Sequence, residues 1–324
     1  MKVGIIGTGK HGSRYANHVC TDVPGLELVA ICRRSPKGVS QAARWQCVLH
    51  NKIEDLVVDP AVEAVISVVP PSLNLTIARA CAAADKPLLL EKPLAANLDE
   101  ARAIVRLTEE DGLRLTVGQT LRYNRVIRLF RRHLTELGTL YTVSVNQRIE
   151  PSTLAWHEEP ALAGAGVSYH TAVHIFDALR FITGLEIRRV MAMTGNRHNK
   201  TLEDSLQALI EMENGVQGVI DCSKVGQARS GRFEFVGREG QLVGDQIYNI
   251  CERIRHTSRT PLDPGKPVGT IIPLLHDWRD FLLNLGPNPI SGYDGFKAVA
   301  VCDACRCSAR EKRWVEVYRL NSAE

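Results

Sequence analysis

Two groups of polar side chains in the sequence are suited to moving a proton and stabilising a negatively charged oxygen. Lys92 follows a short apolar run, at the point where a buried strand would end. His170, His174 and Asp177 lie in a helical pattern, and at about 100° per residue they fall on one stripe within about 60°. Histidine titrates near neutral pH and a lysine ammonium stabilises negative charge, so together they suit acid–base chemistry at an oxygen atom. The alternatives are a solvated strand-end lysine and histidines that only pack.

A glycine-rich turn near the N-terminus predicts a site for a dinucleotide. Gly7, Gly9 and Gly12 form the pattern G-x-G-x-x-G directly after an apolar run and at the start of a helical pattern. Glycine allows a tight turn and a close backbone approach, and a helix N-terminus favours the negative charge of a pyrophosphate. A glycine-rich turn in another α/β fold is the alternative. The residues expected at this site are Gly7, Gly9, Lys10, His11, Gly12, Arg33, Arg34, Ser35, Pro70, Glu91 and Lys92.

The residues after the second apolar run indicate which dinucleotide is preferred. Proteins that bind NAD place Asp or Glu there, where it accepts hydrogen bonds from the ribose hydroxyls. This chain has Arg33, Arg34 and Ser35 instead. A guanidinium can pair with a 2′-phosphate, and no carboxylate is present to repel it. The sequence therefore predicts a preference for NADP(H), with NAD(H) as the alternative.

The first 120 residues alternate short apolar runs with helical patterns, which is typical of βαβ units and a parallel sheet. Asn97, with Glu100 three residues later, resembles an N-cap and capping box. We therefore expect an α/β Rossmann domain with a doubly wound parallel sheet over residues 1–120. The predicted strands are 2–6, 26–32, 64–69, 88–91 and 115–118, and the predicted helices end near 20, 45, 84 and 112.

The pattern changes after Gly118, and residues 121–324 are expected to form an α+β domain with a large, mostly antiparallel open sheet. Asn214 and Gly215 predict a hairpin between two of its strands, and Gly184 predicts the end of a helix that begins near residue 168. The predicted strands are 141–149, 187–194, 205–213 and 215–223, and the predicted loops are 260–273 and 286–295.

Length and composition exclude several classes of protein. A chain of 324 residues exceeds the usual size of one hydrophobic core, so two domains are expected. The formal net charge of +4 is too small to imply a nucleic-acid or membrane partner. No apolar run approaches the roughly 20 residues that span a bilayer, and the N-terminus begins with a strand pattern instead of a signal peptide. A cytoplasmic protein is therefore expected.

Other clusters in the sequence are better explained by packing than by binding. Nine cysteines lack the spacing of a disulfide framework, and the cluster at 302–307 lies in a helical pattern without a second pair, so free thiols are expected instead of zinc. No metal is expected at His170 and His174, because no Glu follows His170. The arginines at 122–132 alternate with apolar residues and predict one solvated face of a helix, not a nucleic-acid site. These residues are Arg122, Arg125, Arg128, Arg131 and Arg132, with Val126, Ile127, Leu129 and Phe130 between them.

The order of the motifs resembles that of the Gfo/Idh/MocA oxidoreductases over nearly the whole chain. The matching segments are the glycine turn, Val69-Pro70-Pro71, Glu91-Lys92-Pro93, Gly118 with Arg122-Tyr123-Asn124, His174-Ile175-Phe176-Asp177 and the final segment 308–317. The resemblance implies an NAD(P)-dependent enzyme that transfers a hydride between nicotinamide and a hydroxyl or carbonyl carbon of a sugar, inositol or similar polyol. It also implies a homodimer or homotetramer formed through the open face of the second-domain sheet.

The resemblance assigns roles to individual residues. Lys92 would lie near the nicotinamide and hydrogen-bond the reacting oxygen, and its bond to Pro93 would be cis. His174 would be the catalytic histidine that accepts the substrate proton. Further candidates, either for contact with substrate hydroxyls or for orientation, are Tyr123, Asn124 and Asp177.

One position departs from the family pattern, because His170 stands where the family commonly has Asp one turn before the catalytic histidine. We therefore place His170 with Lys92 and His174 among the candidate catalytic residues. Two histidines this close would titrate as a coupled pair. The resemblance also leaves two alternatives: a cofactor-binding regulator without catalysis, which the presence of Lys92 and His174 argues against, and an NAD-dependent glycosidase of the same fold.

Overall fold

Residues 1–320 are described by a computed structural model, in which the chain divides into two units. The first unit comprises Met1–Thr120 and Gly269–Phe296, and the second comprises Leu121–Val268 and the residues from Lys297 onward. The sequence predicts a domain boundary after residue 120. The segment 269–296 was assigned by sequence to the second domain, but the structure includes it in the first unit.

The first unit is built on a parallel sheet with helices between its strands. Within residues 1–320 this sheet has six strands in the order β3-β2-β1-β4-β5-β6, which is the Rossmann order. The strands are β1 (Lys2–Ile6), β2 (Glu27–Cys32), β3 (Val48–His50), β4 (Ala64–Ser67), β5 (Leu88–Glu91) and β6 (Leu115–Gly118). The helices are α1 (Gly12–Thr21), α2 (Lys37–Trp45), α3 (Ile53–Val58), α4 (Asn74–Ala83) and α5 (Leu98–Glu110).

Burial along the central strands explains why the sequence patterns for them were clear. Every residue of β4, β5 and β6 is buried, as expected for parallel strands covered on both faces. At the start of α5 the side chain of Asn97 accepts a hydrogen bond from the backbone N–H of Glu100 at 2.8 Å, which confirms the predicted N-cap. β3 and α3 were not predicted, because elements this short carry little periodicity.

The second unit contains a larger, mixed sheet. Within residues 1–320 it has nine strands in the order β14-β13-β12-β11-β7-β10-β9-β8-β15, and β7 with β10 is its parallel pair. The strands are β7 (Leu140–Arg148), β8 (Ile187–Gly195), β9 (Ser205–Met212), β10 (Gln217–Ser223), β11 (Ser230–Gly237), β12 (Gly240–Asp245), β13 (Ile250–Arg255), β14 (Ser258–Pro261) and β15 (Val315–Glu316). The helices are α6 (Arg125–His133), α7 (Pro160–Ala163) and α8 (Val173–Thr183).

One face of this sheet is covered by helices. The ring of Phe130 on α6 lies 5.9 Å from that of Phe233 and 5.2 Å from that of Phe235, both on β11. The apolar side of α6 predicted by sequence is therefore the side that packs on the sheet. The hairpin and the helix stop are also confirmed, because Asn214 and Gly184 both have positive φ, at 62° and 70°. The mostly antiparallel open sheet is confirmed as well.

The segment 269–296 joins the first unit through α9 (Ile271–Leu282) and the strand-like residues after it. Trp278 on α9 is fully buried, and the backbone N–H of Val117 on β6 donates to the carbonyl of Ile290 at 3.0 Å. The side chain of Asn288 donates to the carbonyl of Leu115 at 2.6 Å. The open edge of β6 thus acquires hydrogen-bond partners, which explains why this segment packs on the first unit. The last helix, α10 (Gly292–Glu311), begins in this segment and continues into the second unit.

A search of residues 1–320 for a membrane-spanning helix finds none that combines the necessary length and apolar character.

Candidate functional site

The glycine-rich turn between β1 and α1 has the shape that a dinucleotide requires. Gly7 has φ +88°, and a Cβ added there would lie 2.3 Å from the carbonyl oxygen of Val68, in the turn after β4 that leads to the half-buried Pro70. A Cβ on Gly12 would lie 1.9 Å from the oxygen of Gly7. A Cβ on Gly9 would meet nothing within 4 Å, so this residue borders open space. The turn therefore closes tightly while leaving room for a pyrophosphate at its centre.

The start of α1 is suited to an anion. No side chain caps the helix, and its first turn contains no acidic residue, so the helix N-terminus is not already neutralised. Lys10 is exposed beside it. These features fit the phosphate groups of NAD(P).

The residues after β2 lie beside the same turn. The guanidinium of Arg33 donates to the carbonyl of Thr8, to Oε1 of Gln41 at 3.0 Å and to Oγ of Ser35 at 2.6 Å. Arg34 is exposed. Arg33 therefore helps to shape the glycine turn, and Arg34 is the arginine better placed to meet a solvent-borne phosphate. Gln41, which the sequence analysis missed, also donates to the carbonyl of Thr8 at 3.0 Å.

Glu91 at the end of β5 connects the glycine turn to Lys92. Its Oε1 accepts hydrogen bonds from Nε2 of His11 at 3.0 Å and from the hydroxyl of Tyr15, while its Oε2 accepts from the backbone N–H of Lys92 at 3.1 Å. A Cβ on Gly118 would lie 3.1 Å from the Glu91 carboxylate, so this glycine leaves the space that the carboxylate occupies. The glycine turn, β5 and the Glu91-Lys92-Pro93 turn thus form one network within the first unit.

The charges in this network are balanced. Burial by itself raises the pKa of Glu91, but the hydrogen bond and charge of His11, the charge of Lys92 and the bond from Tyr15 outweigh burial and hold this pKa below its ordinary value. Burial, with the nearby Glu91 charge, raises the pKa of Tyr15 well above its ordinary value. The network therefore consists of an ionised carboxylate and a neutral phenol.

Lys92 is held by contacts on both sides of its peptide. The Lys92–Pro93 bond is cis, as the family resemblance implied. The side-chain amide of Asn74, at the start of α4, donates to the carbonyls of Pro93 and Leu94, each at 3.1 Å. Burial lowers the pKa of the Lys92 ammonium, and the charge of Glu91 partly offsets that effect. Asn74 was not identified from sequence, although its position after two prolines at the start of a helix is visible there.

In the second unit, His170 and His174 lie on consecutive but different helical segments. Ser168–Ala172 forms a π-helical turn and α8 begins at Val173, so the spacing of about 100° per residue does not hold across His170. His170 is 8% exposed, and its ring stacks on that of His157 with centroids 3.9 Å apart and 11° between planes. His174 is more exposed than its neighbours on α8. The single stripe expected from sequence is therefore interrupted.

Asp177 is paired with an arginine. It is fully buried, and its two carboxylate oxygens accept hydrogen bonds from Nε and Nη2 of Arg122 at 2.8 and 2.6 Å. Nη1 of Arg180 lies 3.8 Å away. Such a bidentate pair is geometrically specific and satisfies a buried charge. The pair holds the segment before α6 against α8, which fits the orienting role expected for Asp177, and contact with substrate stays a prediction.

Asn124 is a helix cap. Its side-chain oxygen accepts from the backbone N–H groups of Val126 and Ile127 at 2.9 and 3.3 Å, and its amide donates to the carbonyl of Gln246 at 3.1 Å. These bonds fix the start of α6, which fits an orienting role, and contact of Asn124 with substrate stays a prediction. Tyr123 is buried, with the guanidinium carbon of Arg128 4.7 Å from its ring centroid.

Within residues 1–320 no group of three His, Cys, Asp or Glu side chains is arranged to hold a metal ion. The thiol of Cys302 is buried and donates to the carbonyl of Ser168 at 3.2 Å, while Cys305 is buried in the same helix. This part of the cysteine cluster packs α10 against the π-helical turn.

Comparison with known proteins follows the same division of the chain. The family model described as "Oxidoreductase family, NAD-binding Rossmann fold" matches residues 1–119, and that of the GFO/IDH/MocA C-terminal domain matches residues 134–243. D-apiose dehydrogenase of Paraburkholderia graminis is 27% identical, over 99% of this chain and 91% of its own. The scyllo-inositol 2-dehydrogenase (NADP(+)) IolW of Bacillus subtilis is 25% identical, over 97% of this chain and 95% of its own.

Solved structures show the same fold. An oxidoreductase domain protein from Kribbella flavida has a TM-score of 0.88 at 23% identity and covers 98% of this chain and 99% of its own. Levoglucosan dehydrogenase in complex with NADH has a TM-score of 0.87 at 21% identity, with 99% and 100% covered. The two family models together span more than half of the sequence, so the chain belongs to the Gfo/Idh/MocA oxidoreductase family, and its residues 1–119 match the family's NAD-binding Rossmann fold.

Proposed function

We propose that this protein is an NAD(P)-dependent oxidoreductase that transfers a hydride between nicotinamide and a hydroxyl or carbonyl carbon of a sugar, inositol or similar polyol. The observation that carries the proposal is the Glu91 network, which links the glycine-rich turn to the backbone of Lys92. The names of the relatives support it, because they are dehydrogenases of apiose and of scyllo-inositol. The two substrates differ, so the class of substrate is proposed and not one compound.

The chemistry assigns different tasks to Lys92 and His174. Bound nicotinamide supplies the acceptor or donor of the hydride. When a hydroxyl is oxidised, its proton must leave, and His174 on α8 accepts that proton as general base. The Lys92 ammonium stabilises the negative charge that develops on the oxygen. In the reverse direction His174 returns one proton to the oxygen of the carbonyl, while Lys92 stabilises the negative charge that the hydride leaves on that oxygen. His170, four residues before His174 and stacked on His157, is a further candidate for influencing this proton transfer.

NADP(H) is the proposed preferred cofactor. Arg34 is exposed after β2, Arg33 lies beside the glycine turn, and no carboxylate takes the place that NAD-binding proteins use for the ribose. The relatives include enzymes of both kinds, since one scyllo-inositol 2-dehydrogenase is named for NADP(+) and another of Bacillus subtilis for NAD(+).

The test is a panel of aldoses, keto sugars and cyclic polyols, each offered with NADP+ or NAD+ and followed at the nicotinamide absorbance band. The proposal expects a cofactor-dependent absorbance change with at least one polyol or sugar, and none with His174→Ala. Binding of cofactor without turnover on any member would favour a regulator. Release of a free sugar from a glycoside without net cofactor reduction would identify a glycosidase.

The expected cytoplasmic location stays a prediction.

A further inference from the structure

His11 has contacts that its place in the glycine-rich turn does not require. It precedes Gly12 and is the N-cap residue of α1, yet its side chain makes no capping hydrogen bond. Its Nε2 instead lies 3.0 Å from the Glu91 carboxylate, and its ring meets that of Tyr15 edge-on, with centroids 5.5 Å apart. The His11 side chain remains 44% exposed, whereas that of Glu91 is 8% exposed. The imidazole therefore has one buried partner and one accessible side.

The chemistry of the partner fixes which nitrogen carries hydrogen. The Tyr15 hydroxyl and the Lys92 backbone N–H both donate to Glu91, and its surroundings lower its pKa, so the carboxylate is ionised and only accepts; Nε2 of His11 therefore donates to it. In a neutral imidazole the other nitrogen, Nδ1, is then a lone-pair acceptor. An acceptor repels the oxygens of a phosphate. Only the protonated imidazole presents a second N–H to an anion.

We propose that His11 contacts the pyrophosphate of NAD(P) as an imidazolium held between that anion and Glu91, so that cofactor binding takes up a proton. The inference rests on the proposed cofactor site and adds to it a coupling between cofactor binding and protonation of His11. His11 lies in the glycine-rich turn and contacts the Glu91 carboxylate. The same carboxylate accepts a hydrogen bond from the backbone N–H of Lys92. Cofactor binding thereby also stabilises the position of Lys92, which makes His11 a positioning residue for the reaction.

The groups around His11 are consistent with a charged form. From β5 it faces the anion Glu91, and beyond that carboxylate lies the Lys92 ammonium. From α1 it faces the ring of Tyr15, which stays neutral because burial raises its pKa, and Arg14 lies farther along that helix. Lys10, the residue directly before His11, is exposed. Two anions, the pyrophosphate and Glu91, would then offset the added positive charge.

Proton uptake is measured by isothermal titration of NADPH and of NADH into the protein at pH 7 in buffers of different ionisation enthalpy. We expect binding enthalpies that differ between the buffers in the direction of net proton uptake, and a dissociation constant that rises with pH. His11→Gln keeps an N–H for Glu91 but cannot be protonated, so it should abolish the uptake and flatten the pH dependence. His11→Leu removes both functions and should in addition lower turnover at saturating cofactor.

His18 provides a matched control, since its Nδ1 lies 2.8 Å from Asp22 on the same helix. His18→Gln should leave the uptake unchanged. Thermal melts and circular dichroism establish that each variant is folded. If the wild type and His11→Gln take up the same number of protons, the inference is wrong while the cofactor site stands. If neither NADPH nor NADH binds, the proposed function itself fails.

Discussion

At the scale of single residues, Glu91 is the group whose ionisation the surrounding contacts control. The pKa of Glu91 lies below its ordinary value of 4.5. The ionised carboxylate therefore stabilises the fold fully above pH 4.5, and this stabilisation is lost as the pH falls through the lowered pKa. Glu91→Gln should reduce the free energy of unfolding by about 2 kcal/mol at pH 7, because bonds to a charged acceptor are lost. The deficit should shrink as pH falls below 4.5, first because the unfolded wild type takes up a proton at this carboxylate and then because the folded wild type does so at its lowered pKa.

Denaturant titrations at pH 7, 5 and 4 measure this difference, with Glu110→Gln on the exposed end of α5 as the control. A deficit that is equal at every pH would mean that the Glu91 charge contributes nothing to stability.

Lys92 should contribute more to turnover than to the stability of the fold, because it lies at the end of β5 and is not part of the apolar core. Lys92→Ala is expected to lower turnover by roughly 10²- to 10³-fold, the effect of losing one preorganised group that stabilises an oxyanion. Its melting temperature should match the wild type. Steady-state kinetics on the identified substrate checks this, with the exposed Lys52→Ala as a matched lysine variant. Turnover near that of the wild type would remove Lys92 from the mechanism.

The two arginines after β2 should differ in their effects on cofactor binding. Arg34→Ala is expected to weaken NADP(H) by about 1.5 to 3 kcal/mol, or roughly tenfold or more, through loss of a charge-assisted bond, and to leave NAD(H) binding nearly unchanged. Arg33→Ala should weaken both cofactors, because Arg33 supports the carbonyl of Thr8 in the glycine turn. Dissociation constants from nicotinamide fluorescence separate the two outcomes. An equal loss for NADP(H) and NAD(H) in Arg34→Ala contradicts the preference.

At the scale of elements, the π-helical turn over Ser168–Ala172 determines what His170 can do. It places the ring of His170 against that of His157, and α8 with His174 begins directly afterwards. A carboxylate at position 170 would favour the charged form of a neighbouring imidazole. His170→Asp should therefore move the acidic limb of the pH–rate profile to higher pH.

The profile is measured at saturating cofactor, and His157→Phe, which keeps an aromatic ring for stacking, is the control. A limb in His170→Asp at the wild-type position would show that residue 170 only packs. The expected shift requires residue 170 to stay close to His174. Melting curves must therefore first show that the variant retains its fold.

Elements with strong local signals were predictable, and those fixed by distant contacts were not. The buried runs of β4, β5 and β6, the Asn97 cap and the Asn214 turn all follow from neighbouring residues. β11 was missed, although Phe233 and Phe235 alternate with charged residues as in a half-buried strand. The docking of 269–296 on β6 depends on residues more than 150 positions apart, and no local pattern reports it.

The same distinction applies to the candidate site. The glycine turn and Lys92 were found because their motifs are contiguous, and the comparisons confirm the family that those motifs indicated. The cap by Asn124 and the ion pair of Asp177 with Arg122 were not foreseen, since a polar residue beside a functional motif has the same sequence signal whether it binds a substrate or another side chain. The catalytic roles of Lys92, His170 and His174 stay predictions.

At the scale of the whole molecule, the exposed face of the second sheet carries a row of apolar side chains among its polar ones. Val219 on β10 pairs with Leu209 on β9, and Leu209 pairs with Met191 on β8, which forms a row across three strands. Leu209 and Val219 are each 50% exposed, and Met193 is 68% exposed. Contiguous exposed apolar side chains on a sheet face are typical of a surface that another protein covers.

We expect this face to join copies of the chain into a homodimer or homotetramer, as the family resemblance implied, because isologous association would bury the apolar row against itself. Replacing Leu209 and Val219 together by Asp would place four like charges in each dimer interface, and should shift the protein to monomers at micromolar concentration. Light scattering coupled to size exclusion measures the mass. Leu285→Asp, at a leucine that is 75% exposed in the first unit, should keep the wild-type mass. If the double variant also keeps it, the subunits associate through another surface; if the wild type is already monomeric, the expected oligomer is wrong.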